Sequence, residues 1–316
     1  MRWRRLLLIL LLAASLALCG CRPLVEDPPE SISIYATFYP IYALTDALMA
    51  DIPNASLRCL VQPQDGCLRS YALSDWDAYV LASSADAVIM GGRGLESFES
   101  TLFGWGEAGP AMTALLYNLE LYNKSVAHAK AESDSHLTGA NPHLYMSVDG
   151  AARIVESAAA VLMTLDPMYA ETYAANESAA LAALEQLRED AHGIVGNVEG
   201  KGVVLMNEAL IYVAQDYGLR VADWIDRESG ENYYETELAD CLERLSRSGA
   251  KVVMIERQAP KALVDALEGA GYAVARIDIL STHREGEGFD GYIRAQHENA
   301  TAIAQAFKRA EQEVSD

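Results

Sequence analysis

One long helical stretch in the middle of the chain does most to limit the possible folds. Residues 167 to about 193 are rich in Ala, Leu and Glu, and no Gly or Pro interrupts residues 168–192. Pro167 suits the first turn of a helix. The stretch therefore predicts a helix of about 27 residues, roughly 40 Å long. A helix of this length would act as a rigid spacer between the parts of the chain on either side of it.

Short β-rich runs alternate with helical patterns on both sides of this stretch. The runs cover residues 31–37, 56–61 and 87–90 before it, and 202–206, 251–255 and 273–277 after it. Strands separated by helices predict parallel βαβ units. We therefore predict an α/β fold with two parallel-sheet lobes, residues 31–166 and 196–316, joined by one linker helix, residues 167–195. The cleft between two such lobes favours ligand capture.

The N-terminus has the pattern of a secreted lipoprotein. Arginines precede an apolar run over residues 6–18, so residues 1–20 are predicted to be a signal peptide. The sequence Leu18-Cys19-Gly20-Cys21 resembles the bacterial lipobox, which makes Cys21 the predicted lipidated residue. An ordinary signal peptide with incidental cysteines is the alternative. Residues 21–30 would then be a Pro-rich acidic tether, and the protein would be extracytoplasmic and lipid-anchored to the cell membrane.

The excess of acidic residues indicates which kinds of molecule the protein can bind. The chain of 316 residues carries 45 acidic against 24 basic side chains and a net charge of −21. Such a surface disfavours nucleic acid and raises the local concentration of cations. The sequence contains no GxSxG, HExxH or CxxC motif, so hydrolase, zincin and thioredoxin activities have no support and we expect no enzyme. The segment Gly91-Gly92-Arg93-Gly94 predicts a turn, because it lacks the spacing of a phosphate-binding loop.

Several short segments occur in an order that is typical of one family. They are Phe38-Tyr39-Pro40, residues 64–71, Gly91 to Glu96, Asn141-Pro142-His143, Asn207 to Tyr212, and the C-terminal Glu256, Asp278, Tyr292 and Asn299. Together they resemble the zinc- and manganese-binding substrate-binding lipoproteins of metal ABC importers, over essentially the whole mature chain. The resemblance implies a monomer that captures a divalent metal, zinc first and manganese next, and delivers it to an ABC permease and its ATPase.

The metal ligands of that family map onto an altered set in this chain. The family usually brings three His and one Asp together in the cleft, and one His is replaced by Glu in the manganese type. By the resemblance, His143 and Asp278 are the second and fourth ligands. Arg69 stands at the position of the first His, and Asn207 at that of the third. Arginine stays protonated and has no lone pair to donate, and Asn207 offers only a neutral carbonyl oxygen.

Two neighbouring side chains could replace the missing ligands. Glu208 follows Asn207 directly, and Cys67 lies two residues before Arg69. An N/O set that includes Glu208 suits zinc or manganese, and a Cys67 thiolate would favour zinc. Three alternatives remain open: a salt bridge from Arg69 to an acid that closes the site, a metal chelate or anion recognised by Arg69, and a surface adhesin without a transport role.

The remaining histidines and cysteines give weaker signals. His128 and His136 lie where family members carry a His-rich loop that gathers zinc, but this segment has only two histidines. An ordinary solvated loop explains them equally well. Cys59 and Cys67 could form a disulfide outside the cell. Cys241 lies at helical spacing among apolar residues, so we predict that it is buried.

Overall fold

A computed structural model describes most of the mature chain. The described residues are 31–61, 71–106, 109–119, 141–225, 235–281 and 287–313. Within these ranges, no helix combines the length and the apolar character that a membrane span requires. From Ile32 onward the described residues belong to one compact unit.

The first lobe is built on a four-stranded parallel sheet. Its strands are β1 (Ile32–Ala36), β2 (Ala55–Cys59), β3 (Ala87–Met90) and β4 (Ala111–Ala114), in the order β2-β1-β3-β4. Helices α1 (Tyr39–Asp46), α2 (Asp75–Ser84) and α3 (Glu99–Phe103) connect them. The β3 sequence AVIM is apolar throughout and buried at every position, as expected for a strand that is covered on both faces.

The second lobe repeats this arrangement. Its strands are β5 (Gly202–Leu205), β6 (Arg220–Trp224), β7 (Val252–Glu256) and β8 (Ala273–Ile277), in the order β6-β5-β7-β8. All of its strand pairs are parallel. Helices α6 (Leu210–Asp216), α7 (Glu235–Ser248) and α8 (Lys261–Gly269) belong to it. The predicted α/β class with two parallel-sheet lobes is thereby confirmed.

Three long helices connect the lobes. Helix α4 (Val148–Leu165) ends the first lobe, and a 3₁₀ turn at Pro167–Tyr169 leads into α5 (Ala170–Val195), which confirms the predicted linker helix. Helix α9 (Phe289–Glu313) closes the chain and contacts α5, strand β8 of the second lobe and helix α1 of the first. A single helix therefore packs against both lobes.

The chain order within each sheet predicts where a ligand binds. In both sheets the first strand lies in the middle, between the second and the third strand of its lobe. The connections from such a strand leave toward opposite sides, which opens a crevice at the carboxyl ends of the strands. In the second lobe, this edge carries Asn207 after β5, Arg257 after β7 and Asp278 after β8.

The turn after β3 is held by a buried carboxylate. Glu96 accepts hydrogen bonds from the backbone N–H groups of Gly91 and Gly92, at 2.7 and 2.8 Å, and from the Thr37 hydroxyl at 2.6 Å. Its burial raises the pKa of this carboxyl above the usual value. Gly92 has a φ of +80°, which glycine adopts at little cost. The segment is a turn, as predicted from the sequence, and it joins the carboxyl ends of β1 and β3.

A second carboxylate, which is partly buried, links the lobes. Asp216, the last residue of α6, accepts a hydrogen bond of 2.9 Å from the backbone N–H of Val148, the first residue of α4. The start of a helix has unpaired N–H groups that favour an anion. The carboxylate lines a cavity of about 440 Å³, together with Arg188 of α5. Burial is the main cause that raises the pKa of Asp216 from 3.8 to about 7, and nearby Asp149 adds to it.

This raised pKa predicts a pH-dependent stability. The folded state holds the proton of Asp216 more tightly than the unfolded chain, so its stabilising effect is complete below about pH 4 and is lost as the pH rises through 7. Asp216→Asn keeps an oxygen that can accept from Val148 and removes the ionisation. We expect its stability advantage over the wild type to be about 2 kcal/mol larger at pH 8 than at pH 5, as measured by urea unfolding.

The matched control for this test is Asp265→Asn on α8. Asp265 is paired with Lys261 and has a side chain that is 55% exposed. Its substitution should shift the free energy of unfolding equally at both pH values. If Asp216→Asn also changed the free energy of unfolding by the same amount at pH 5 and pH 8, this result would contradict the raised pKa of Asp216.

Candidate metal centre

The loop before α4 holds a buried histidine in one defined orientation. His143 is 6% exposed. Its backbone N–H donates to the Asn141 side-chain oxygen at 3.0 Å, and its ring Nδ1 lies 2.9 Å from the same oxygen. Since an amide oxygen only accepts, Nδ1 carries the proton and the lone pair of the neutral ring is on Nε2. The Nε2 atom is therefore the one suited to bind a metal ion.

Asn141 also bonds this loop to the second lobe. Its side-chain Nδ2 donates to the backbone oxygen of Glu208 at 2.7 Å, which fixes the orientation of the amide. Its own backbone oxygen accepts from the Tyr212 hydroxyl at 2.7 Å. Asn141 is completely buried. The loop that carries His143 and the segment after β5 are thus joined by two buried hydrogen bonds.

The segment after β5 places a carboxylate beside His143. The Glu208 Oε1 atom lies 3.5 Å from His143 Nδ1, and Glu208 is 9% exposed. A negative charge at this edge of the ring increases the electron density available at Nε2. The Asn207 side-chain oxygen accepts from the backbone N–H of Ala209 at 2.9 Å, in the turn that starts α6. This hydrogen bond uses one of the two lone pairs of the neutral amide oxygen.

Asp278 follows β8 and is held in place by α9. Its backbone N–H donates to the Asn299 side-chain oxygen at 2.7 Å, and its backbone oxygen accepts from the Asn299 amide at 2.9 Å. One carboxylate oxygen accepts from the backbone N–H of Leu280 at 2.9 Å, and the other lies 3.2 Å from Nη1 of Arg257. Asp278 is 8% exposed. Its carboxylate is therefore positioned by the backbone and is paired with a cation.

Helix α9 holds the His143 loop and the Asp278 loop with one face. The Tyr292 hydroxyl donates to the backbone oxygen of Tyr145 at 2.8 Å, and Gln296 donates to the Tyr292 hydroxyl at 3.1 Å. Tyr292, Gln296 and Asn299 recur at helical spacing, so they lie on the same side of the helix. Tyr292 and Asn299 are separated by two turns, about 10 Å along the axis. The predicted second and fourth ligands are thus anchored to one element.

The structure brings together only part of the predicted site. His143 and Glu208 are neighbours, Asn207 accepts a hydrogen bond from Ala209 in the turn before α6, and Asp278 is paired with Arg257. Among the described residues, no group of three or more His, Cys, Asp and Glu side chains is arranged to hold a metal. The predictions for Cys21, Cys67, Arg69, His128 and His136 fall outside the described residues. The pairing of Arg69 with an acid and the Cys59–Cys67 disulfide therefore stay predictions.

Two contributors to the site were not found from the sequence. Asn141 was noted only as part of a motif, and its buried amide holds both lobes. Arg257 gave no signal beyond its place directly after a buried strand, and it pairs with Asp278. The prediction that Cys241 is buried is confirmed, because this residue is 2% exposed in the core of the second lobe.

Two parallel α/β lobes, joined by a long helix and bonded together around a buried histidine, define a two-lobed binding protein. The family model of ZnuA, the periplasmic component A of zinc-uptake complexes, matches residues 34–306. The chain belongs to this family.

Known proteins with similar sequences and folds agree with the family. The zinc-binding lipoprotein AdcA of Streptococcus pneumoniae is 22% identical over 309 residues, which are 95% of this chain and 60% of that protein. The substrate-binding protein FpvC of Pseudomonas aeruginosa, solved with Mn²⁺, superimposes with a TM-score of 0.73 at 20% identity, covering 88% of this chain and 99% of FpvC. The Zn(II)-bound ZnuA-like domain of S. pneumoniae AdcA gives 0.71 at 21% identity, covering 87% and 98%. This chain spans about 60% of the length of the curated AdcA.

The role of Asn141 can be tested by removing its donor. In Asn141→Asp a carboxylate replaces the amide, cannot donate to the Glu208 backbone oxygen, and faces that oxygen as a second acceptor. We expect the free energy of unfolding, measured in urea at pH 8, to fall by about 1–3 kcal/mol. Asn197→Asp, at an exposed position, should change it by less than about 0.5 kcal/mol. Equal stabilities of the two variants would show that the amide does not hold the loops together.

Proposed function

We propose that this protein captures a divalent transition metal outside the cytoplasm, zinc first and manganese next, and delivers it to an ABC permease and its ATPase. The observation that carries the proposal is the buried His143, whose Nδ1 proton is fixed by Asn141 and whose ring is flanked by the Glu208 carboxylate. A histidine prepared in this way presents Nε2 as a ligand, as in carboxylate–histidine–metal arrangements. Membership of the zinc-uptake component A family supports the same function.

We propose His143 Nε2 and the Asp278 carboxylate as direct ligands, one from each lobe. Glu208 is the nearest further carboxylate, either as a ligand or as the group that polarises His143. Nitrogen and carboxylate oxygen donors suit both zinc and manganese. The net charge of −21 favours the encounter with cations. Asn207 is the weakest donor of the set, because its amide oxygen is neutral and already accepts one hydrogen bond from Ala209.

The positions outside the described residues complete the proposal from the sequence. Cys67 is the proposed replacement donor near Arg69, which has no lone pair to give. His128 and His136 are proposed to gather the ion before it reaches the cleft. Cys21 is the proposed point of lipid attachment, with residues 21–30 as the tether and residues 31–166 and 196–316 as the two lobes.

Calorimetric titration of the metal-stripped chain from Pro23 onward, with Zn²⁺ and Mn²⁺, tests the proposal. We expect one submicromolar site in the wild type, and a loss of at least about 100-fold in affinity in both His143→Ala and Asp278→Asn. The control His192→Ala removes an exposed histidine of α5 and should leave the affinity unchanged. Equal affinities of all four proteins would place the ion elsewhere, and the absence of binding in the wild type would refute metal capture.

A further inference from the structure

An arginine forms an ion pair with the carboxylate that is proposed to bind the metal. Arg257 is the first residue after β7, and Asp278 is the first after the neighbouring β8. The Arg257 backbone N–H donates to the backbone oxygen of Ile277 at 2.7 Å. This bond continues the β7–β8 pairing to the end of both strands. The register of the sheet therefore places the guanidinium beside Asp278, with Nη1 3.2 Å from the carboxylate oxygen.

The same guanidinium has a second partner closer to the solvent. Its Nη2 atom lies 2.9 Å from a carboxylate oxygen of Glu298 on α9. The side chains of Asp278, Arg257 and Glu298 are 11%, 33% and 43% exposed, so the three groups form a series from the buried site outward. Arginine remains charged at every physiological pH. The cation can therefore leave Asp278 and still be neutralised by Glu298, which avoids the cost of an unpaired charge.

We propose that Arg257 is an internal cation that competes with the metal for Asp278 and thereby determines which ions the site accepts. This inference rests on the proposed function. An incoming ion must displace the guanidinium from Asp278 or bind close to a positive charge. Zinc obtains much of its affinity from nitrogen and sulfur ligands, so it tolerates this competition best. Calcium and magnesium depend on carboxylate oxygens and are excluded most strongly, with manganese in between.

Two substitutions should shift the metal affinity in opposite directions. Arg257→Gln removes the competing charge, so we expect Mn²⁺ to bind at least about 10-fold more tightly, with a smaller gain for Zn²⁺ and measurable binding of Ca²⁺. Glu298→Gln removes the second partner and leaves the guanidinium dependent on Asp278, so the affinity for every ion should fall. Arg257→Lys, which keeps the charge, should stay nearer to the wild type than Arg257→Gln.

The matched control is Arg244→Gln in the same lobe. Arg244 also pairs with a carboxylate, that of Asp223 at 2.8 Å, and its side chain is similarly exposed, at 40%. This pair lies at β6 and α7, and β6 is at the opposite edge of the sheet from β8, which Asp278 follows. If loss of a salt bridge acted only by loosening the lobe, Arg244→Gln and Arg257→Gln would have the same effect on metal affinity.

Calorimetric titration of the metal-stripped variants with Zn²⁺, Mn²⁺ and Ca²⁺ separates this inference from the proposed function. Unchanged or weaker binding in Arg257→Gln, with a wild type that binds zinc, overturns the competition and leaves metal capture standing. If the metal binds to Arg257→Gln but not to the wild type, the competition by Arg257 is supported and is strong enough to prevent binding. The absence of binding in both refutes competition and capture together. If Arg257→Gln does not fold, judged by its circular dichroism, the predicted loss in Glu298→Gln decides the question.

Discussion

The arrangement of the two lobes depends on the buried amide of Asn141. The Asn141 side chain orients the imidazole of His143 and donates to the segment after β5. The residue is completely buried. A buried polar group without partners is costly, so the bond from Asn141 to Glu208 favours contact between the lobes. The orientation of the histidine and the contact between the lobes thus depend on the same side chain. A carboxylate in this position would lack the donor that reaches Glu208.

The other contacts between the lobes act on the same segments. Asp216 bonds the end of α6 to the start of α4, so the helix that follows Glu208 is fixed to the helix that follows His143. Helix α9 bonds the His143 loop through Tyr292 and the Asp278 loop through Asn299. The part of the site in the second lobe therefore lies at the carboxyl ends of strands, as the strand order of the sheet predicts, and helices hold both loops in place.

Much of this fold could be predicted from the sequence because its main elements are buried. Strands β3 and β8 occur at the predicted residues, and no Gly or Pro interrupts residues 168–192, which include most of the linker helix. The strands β4 and β6 were missed because they contain exposed and partly exposed residues that break the apolar pattern. The ion pair of Arg257 with Asp278 could not be predicted either, since it depends on the register of two strands whose ends are far apart in sequence.

The chemistry of the candidate site follows from how its charges are paired. His143 lies beside one carboxylate and Asp278 beside a guanidinium, so one proposed ligand is prepared to bind a cation while the other is occupied by one. Anomalous diffraction from crystals of the zinc-loaded protein, recorded at the zinc edge, tests this account most directly. The account predicts one strong peak about 2.0–2.1 Å from Nε2 of His143 and in contact with the Asp278 carboxylate. A peak bound only by surface carboxylates, with no metal at Nε2 of His143, would contradict it.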